Sequence, residues 1–494
     1  MYLLAQPEPP ALVHALVPHV ATQYVSGKIL QSLLAFDHDL KPVPVLARSW
    51  QVSADGLTWT FDLQPNVLWH DGQPFTADDV VFSFDDFYPA TEPRQDAIKR
   101  EYFQRVEAIG PTQVRFVLKK PFAPLLDMLG SGIQPVVAKH VYAGHGDYRG
   151  NPANLHPIGT GPFVFKEWKR GAYIRLERNP HYWKPGLPYL DAVVFQVIPD
   201  AASRAAAFER GDVQVLRSGD ADYADLERLA ALPGVVRSEQ GWELARGHAF
   251  LQVNTRRPPL DDARVRQAIA YALDRRFIVD NIFFGAGTPA QGVFATGTPE
   301  HDPALPQYSY DPAKAAELIR AAGVKPGTVH LRLLNGEKGG AWERLAEYTR
   351  QALQPLGLDV QVVTSDAATW YQRVSDWDFD LTYNFTFQIG DPALSLAYLY
   401  RADSIRKGSP FNNVTGYANP EADALWQEAA DSADPQRRDA SYHRLEALLN
   451  RDLPIVSIYE MRYPTLYHGE VHNLLRTATS LNESDEDVYL AGRR

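Results

Sequence analysis

Adjacent acidic residues are the first candidates for chemistry, because paired carboxylates can cleave a glycosidic bond when one acts as acid and the other as base or nucleophile. The chain carries such pairs at Asp78-Asp79, Asp85-Asp86 and Asp261-Asp262. Neighbouring residues on a helix do not face one another, so helix capping or surface placement explains these pairs better than catalysis. A hydrolase that acts in a cleft is therefore not the favoured interpretation of these acidic pairs.

Two histidines, His468 and His472, have the spacing that places two metal ligands on one helical face. Gly469 and the nearby Pro464 disfavour a helix there. The chain has no Cys, which excludes disulfides and thiol nucleophiles, and it has neither a Gly-x-Ser-x-Gly nor a His-Glu-x-x-His motif. We expect no catalytic residue, no metal and no cofactor.

The segment that contains Trp69-His70-Asp71 has the types of residue that handle protons, but its pattern is that of a turn. Residues 57–63 alternate apolar and polar, as in a half-buried strand. Asp55-Gly56 and Asp71-Gly72 are turn dipeptides, since Gly accepts positive φ. Thr76 with Asp79 matches a capping box, so the sequence predicts a β-hairpin followed by a helix.

A strand, a helix and a second strand follow one another near residue 200. Residues 192–198 are a nearly continuous apolar run, Asp200 suits an N-cap, Gly211 suits a helix end, and residues 213–216 resume a strand. This β-α-β order indicates an α/β domain. Earlier, the apolar stretch Val25–Phe36 has helical spacing and predicts a helix that ends before two prolines.

Three segments carry a family resemblance: Ala47–Phe84, Pro157–Trp168 and Asp261–Arg275. They resemble, in the same order, the motifs of the peptide-class (dipeptide/oligopeptide-type, family 5) extracellular solute-binding proteins of bacterial ABC importers. The resemblance covers nearly the whole chain. It implies a protein that binds a small ligand and delivers it to the transmembrane subunits of an ABC permease, and not an enzyme.

The resemblance also implies an architecture, the type II-like fold of periplasmic binding proteins, with two lobes and an inserted third domain. Domain I is expected to contain residues 1–40, 155–248 and 465–494, domain II residues 41–154, and domain III residues 249–464. The chain crossings between lobes are natural hinges, so we expect the lobes to close over one buried ligand. At the return crossing near Gly159 and Gly161, small residues permit close backbone approach.

Size and charge agree with this class of protein. The 494 residues suggest two or three domains, and 45% hydrophobic with 22% charged residues is typical of a globular protein. A net charge of −11 argues against a nucleic-acid partner. The N-terminus lacks a basic region followed by an apolar one. The resemblance therefore implies a periplasmic protein whose export signal is absent from this chain, and we expect a monomer.

The ligand-contacting residues are predicted from the resemblance. In peptide-binding relatives an Asp before a Pro-containing loop holds the ligand's α-amino group, and here Asp391 before Pro392 is either that residue or a turn former. Dipeptide binders use an Arg-x-Tyr pair for the carboxylate, and this chain has none at the corresponding loop. Its polar residues there, which suit either a ligand contact or a solvated turn, are Asn335, Glu337 and Lys338.

Aromatic residues complete the predicted site, because their faces stack on sugars and apolar groups. Thr22 and Gln23, expected in a loop before the first helix, resemble positions that line the cleft in relatives. The aromatic candidates are Trp242, Trp370, Tyr383, Phe385 and Phe387. The ligand is a peptide or a peptide-like compound, and the alternative is a non-peptide solute such as an opine or a glycoside.

Overall fold

A computed structural model describes residues 2–17, 19–130, 134–336 and 339–492. The chain divides into two compact units, the first formed by Met1–Ala245 with Tyr463–Arg494 and the second by Arg246–Arg462. Both units contain sheets and helices, which is the predicted α/β class. The predicted division into three domains and the predicted hinge closure stay predictions.

The strands of the described chain lie in both units. They are β1 (Tyr2–Gln6), β2 (Leu34–Phe36), β3 (Pro42–Pro44), β4 (Ala47–Val52), β5 (Thr58–Leu63), β6 (Phe103–Gly110), β7 (Gln113–Leu118), β8 (Phe163–Lys169), β9 (Tyr173–Arg178), β10 (Ala192–Val197), β11 (Val215–Arg217), β12 (Val235–Ser238), β13 (Ala245–Val253), β14 (Gly287–Pro289), β15 (Val329–Gly336), β16 (Leu358–Ser365), β17 (Leu381–Ile389), β18 (Ile455–Met461), β19 (Thr465–His468), β20 (Val471–His472) and β21 (Tyr489–Leu490).

The described α-helices are spread along the whole chain. They are α1 (Val20–Ser26), α2 (Ala77–Phe82), α3 (Tyr88–Thr91), α4 (Pro93–Tyr102), α5 (Leu125–Gly130), α6 (Lys139–Tyr142), α7 (Ala201–Glu209), α8 (Tyr223–Ala230), α9 (Ala263–Ala272), α10 (Arg275–Phe277), α11 (Pro312–Ala321), α12 (Gly340–Leu353), α13 (Ala367–Ser375), α14 (Pro392–Ser395), α15 (Pro420–Asp431) and α16 (Pro435–Asp452). The two longest, α12 and α16, lie in the C-terminal half of the chain.

The first unit is built on a sheet with the strand order β12-β19-β11-β1-β10-β9-β8, which we call the N-terminal sheet. Its centre is parallel, since β1 pairs in parallel with both β10 and β11. Helix α7 connects β10 to β11, and its N-cap Asp200 accepts a hydrogen bond from the Ser203 amide, as the sequence predicts. Phe208, Leu216 and Leu466 belong to the apolar core on this sheet.

A second sheet of the first unit, with the order β4-β5-β7-β6, lies within residues 41–154. Strands β4 and β5 form the predicted hairpin. Gly56 and Gly72 take positive φ at the two predicted turns. The Thr76 amide donates to Asp79 Oδ2 over 2.9 Å at the start of α2, which confirms the predicted helix start.

The helix predicted over Val25–Phe36 is wrong. Helix α1 ends at Ser26, and residues 34–36 form a strand that pairs with β3. The carbonyls of Lys28 and Ile29 instead accept hydrogen bonds from the Phe163 and Gly161 amides. The apolar residues of this segment are buried within the first unit. Over a short stretch of sequence, the spacing of apolar residues in a buried irregular segment resembles that of a helix.

The second unit is built on a sheet with the order β14-β18-β13-β17-β15-β16. Strand β15 pairs in parallel with β16 and with β17, so the carboxyl ends of these strands lie at one edge. Helices α12 and α13 connect them. Gly357 takes positive φ before β16, as expected of the residue that ends a helix.

Candidate functional site

The carboxyl edge of the parallel strands in the second unit is the first candidate site, because ligands of open α/β sheets bind outside the carboxyl ends of the strands. Asn335 lies there at the end of β15 and is 2% exposed. Neither its amide oxygen nor its amide nitrogen forms a hydrogen bond with the described residues. Asn335 therefore brings an unused donor and an unused acceptor to this edge.

Trp370 lies beside that position. A Cβ placed on Gly336 would meet the Trp370 ring at 2.7 Å, so the indole covers the backbone next to Asn335. The indole N–H donates to Thr382 Oγ1 over 2.9 Å, and the ring packs with Leu334. Trp370 thus has a packing role, while contact with a ligand stays a prediction.

The three predicted aromatic residues of β17 lie together. Tyr383 and Phe385 both pack against Trp342, with ring centroids 6.4 and 5.9 Å away, and Phe387 packs edge-on to Phe385 at 6.3 Å. Tyr383 is buried and its hydroxyl hydrogen-bonds Thr349 Oγ1 at 2.7 Å. Phe385 and Phe387 are only partly buried and are better placed to meet a ligand.

Asp391 has the turn-forming role that the sequence left open. It is the N-cap of α14, where its Oδ1 accepts from the Ala393 amide over 2.8 Å and from the Tyr442 hydroxyl. Its Oδ2 has no hydrogen-bond partner within the described part of the chain. Burial raises the pKa of Asp391, and the charge of Arg438 opposes that shift. A ligand role for Asp391 stays a prediction, and Glu337 and Lys338 lie outside the described residues.

In the first unit, the expectation that Thr22 and Gln23 lie in a loop is wrong, because both belong to α1. The helix begins directly after the extended residue His19, earlier than the apolar run suggests. Thr22 is fully buried, and its hydroxyl bonds to none of the described residues. Gln23 Oε1 accepts from Asn482 Nδ2 at 3.5 Å.

Buried charge lies beside α1. Arg217, at the end of β11, donates from Nη2 to Asp220 Oδ1 over 3.0 Å, and the guanidinium lies 5.1 Å from the Tyr24 ring. Burial raises the pKa of Tyr24, so this phenol is neutral. The predicted residue Trp242 packs on Tyr463, with ring centroids 4.9 Å apart. Sequence reasoning missed Arg217, although its position at a strand end was a usable signal.

Two of the acidic candidates for chemistry are helix caps. Asp79 caps α2 and Asp262 caps α9, where it accepts from the Arg264 amide. His468 and His472 lie on strands β19 and β20. No group of three or more potential metal ligands occurs in residues that the structure describes. Nor does any described helix combine the length and apolarity needed to cross a membrane.

The His70 turn is also explained by packing. His70 Nε2 lies 3.0 Å from the Gly161 carbonyl, and the Gly159 amide donates to Nδ1 over 3.3 Å. Burial lowers the pKa of His70 to about 4. The ring therefore acts as a neutral connector between two chain segments.

Comparisons with known proteins agree with this architecture. The family model of bacterial extracellular solute-binding proteins, family 5 (middle region), matches residues 41–406. The chain is 30% identical over 454 residues to di/tripeptide-binding protein 2 of Pseudomonas aeruginosa, covering 87% of this chain and 83% of that protein. It is 28% identical over 448 residues to heme-binding protein A of Haemophilus influenzae, covering 84% and 78%.

The fold has solved counterparts. One is the ABC transporter-associated periplasmic binding protein DppA from Helicobacter pylori in complex with the peptide STSA, with a TM-score of 0.85 and 24% identity over 99% of this chain and 98% of that chain. This likeness confirms the predicted type II periplasmic binding protein fold. With most of its length matched by the family model, the chain belongs to the bacterial extracellular solute-binding proteins, family 5, the solute-binding components of ABC importers.

Proposed function

We propose that this protein binds a short peptide or a peptide-like compound and delivers it, unaltered, to an ABC permease. The observation that carries the proposal is Asn335, whose buried amide leaves both a donor and an acceptor unused. A peptide group offers the complementary acceptor and donor, so one Asn side chain can pair with one peptide unit. The name of the Pseudomonas relative supports the same class of ligand.

A non-peptide solute is the second candidate. Phe385 and Phe387 are partly buried aromatic rings close to the same strand end, and such rings stack on planar or apolar ligand groups. The similarity to a heme-binding protein supports considering ligands other than peptides. An opine or a glycoside would combine the polar groups that suit Asn335 with an apolar face.

We further propose that the protein performs no reaction on its ligand and acts as a monomer outside the cytoplasm. The support is the family, whose members bind solutes, and the capping roles found for Asp79 and Asp262. Incubation with the ligand followed by mass analysis should recover the starting compound. Conversion that a point substitution abolishes would show an enzyme instead.

The site is tested by calorimetric titration of Asn335→Ala with di- and tripeptides, opines and glycosides. Losing one or two hydrogen bonds to a buried ligand should weaken the best binder about tenfold or more. Asn281→Ala is the matched control, since Asn281 is an exposed amide of the same unit, and it should bind like the wild type. Equal affinities of the Asn335 variant and the wild type would remove Asn335 from the site.

A further inference from the structure

Three buried polar residues of the first unit share one row across the N-terminal sheet. Leu4 aligns with Val215 in the parallel pair of β1 and β11, and the same register continued by two residues aligns Gln6 with Arg217. Arg217 aligns with Thr465 of β19. Aligned residues of neighbouring strands project from the same face of a sheet. Gln6, Arg217 and Thr465 therefore lie side by side.

Each residue of this row is buried and has a side-chain polar atom without a hydrogen bond to the described residues. Gln6, Arg217 and Thr465 are 1%, 9% and 0% exposed. Both amide atoms of Gln6, Nε of Arg217 and Oγ1 of Thr465 lack a hydrogen-bond partner among the described residues. A buried polar atom without a partner is destabilising, so four such atoms on three neighbouring residues suggest a group from outside the chain that bonds to them.

The charge beside the row is positive. Arg204 and Arg217 are both buried guanidinium groups, and Asp220 is the buried carboxylate that pairs with Arg217. Within the described residues, Arg204 donates to the backbone carbonyls of Ile198, Pro199 and Asp220, at 2.6 to 2.7 Å. The buried groups thus comprise two cations and one anion, while the carboxylates of Asp200 and Asp222, which also act on Arg204, are exposed. The excess of buried positive charge favours an anionic ligand group. Burial and the charge of Arg217 also lower the pKa of the nearby His19.

Aromatic rings hold the guanidinium in place. The Arg217 carbon Cζ lies 5.1 Å from the Tyr24 ring and 6.0 Å from the Tyr463 ring, both buried. Stacking on rings and a bond to Asp220 fix the plane of the group while other N–H donors stay available. An oriented guanidinium with free donors is the group of choice for a carboxylate.

We propose that Arg217 binds a carboxylate group of the ligand, with Gln6 and Thr465 as neutral hydrogen-bonding partners of the same group. Asp220 positions the guanidinium. The proposal rests on the proposed function, to which it adds a ligand with a free carboxylate. It also places the residue that binds this carboxylate in the first unit, for which the sequence predicted no positively charged ligand-binding residue.

A ligand-by-variant cycle tests the proposal. The best-binding peptide and its C-terminal amide are titrated into the wild type, Arg217→Met, Arg217→Lys and Arg237→Met. The last is the matched control, an Arg in exposed ion pairs on strand β12 of the same sheet. Loss of Arg217 should weaken the acid at least about 30-fold and the amide less than about threefold. Arg217→Lys should retain part of the preference for the acid.

Several outcomes would overturn the proposal. If Arg217→Met weakens acid and amide by the same factor, Arg217 is a structural residue, and if it weakens neither, Arg217 is not in the site. Should Arg217→Met not fold, the Lys variant decides, since an unchanged acid-to-amide ratio there also contradicts the proposal.

If the wild type binds no peptide, the proposed function fails and the carboxylate site is tested separately with hippurate and hippuramide. Hippurate should then raise the melting temperature of the wild type more than that of Arg217→Lys, and hippuramide should raise neither. An equal response of both proteins to hippurate would overturn the carboxylate site.

Discussion

Two buried ion pairs in the first unit differ in what they connect. Lys28 Nζ lies 3.2 Å from Asp485 Oδ2 and donates to the Glu483 carbonyl over 2.6 Å, so it joins segments more than 450 residues apart. Arg217 and Asp220 are three residues apart, so their ion pair is local in sequence. The first pair is fully buried, whereas Arg217 keeps 10% of its side chain exposed.

We interpret the Lys28–Asp485 pair as one that stabilises the fold and the Arg217–Asp220 pair as one whose cation is available for binding. Around Lys28 the chain is closely connected: Gly159 and Gly161 pack on the carbonyls of Ile29 and Lys28, and His70 bonds to the same glycine segment. We call residues 28–29, 70, 159–161 and 483–485 the Lys28 joint. In the joint the Asp485 oxygens also lack a hydrogen bond, but Lys28 Nζ lies 3.2 Å from one of them. Around Arg217, polar atoms of Gln6, Arg217 and Thr465 have neither a hydrogen-bond partner nor an ion-pair partner of their own within the described chain, apart from the Asp220 contact of the guanidinium.

The largest effect is expected for Lys28→Met. Removing one partner leaves the Asp485 carboxylate buried without its cation, which costs about 3–5 kcal/mol of unfolding free energy. Urea unfolding followed by tryptophan fluorescence measures it. Lys41→Met is the control, because Lys41 is exposed and its pair with Asp39 lies in solvent. An unfolding curve like the wild type's would show that the pair does not stabilise the joint.

The next effect depends on pH and concerns His70. Its pKa is lowered to about 4 in the folded protein, so its neutral form contributes stability above pH 6.5 that is lost as the pH falls toward 4. The difference between the ordinary pKa of histidine and the pKa of His70 in the folded protein corresponds to at most roughly 3 kcal/mol of unfolding free energy. His70→Gln should therefore lose less stability than the wild type between pH 6.5 and 4. Parallel stability-against-pH curves for the two proteins would contradict this role.

The smallest effect is expected for Gly159→Ala. A Cβ there would lie 1.8 Å from the Ile29 carbonyl oxygen, so the backbone of the joint has to shift, at a cost of about 1–3 kcal/mol. Gly110→Ala is the matched control, since a Cβ at Gly110 meets nothing within 4 Å. The difference between the melting temperatures of the two variants measures the effect of the close contact between Gly159 and the Ile29 carbonyl. Equal melting temperatures would show that the close packing of Gly159 does not contribute to the stability of the joint.

Local signals account for the parts of the fold that could be predicted. The capping residues Thr76 and Asp200 and the turn residue Gly56 act within one turn of chain, and the structure has them in the predicted roles. The region Val25–Phe36 was mispredicted because its apolar residues are buried in the fold, and the backbone of Lys28 and Ile29 bonds to residues 161–163, far away in sequence. Period alone does not separate such burial from a helix.

The candidate site divides in the same way. The aromatic trio of β17 lies along one strand, so its alternation in the sequence was sufficient to bring the rings together. Gln6, Arg217 and Thr465 come from three strands that are adjacent only in the folded sheet. Their row depends on strand order and register, which no short stretch of the sequence specifies.

The most direct test of the solute-binding account is native mass spectrometry of the purified protein with a panel of di- and tripeptides. We predict a monomer that takes up one ligand per chain, with the released ligand unchanged in mass. A protein that binds none of these peptides, or that releases a chemically altered compound, would contradict the account.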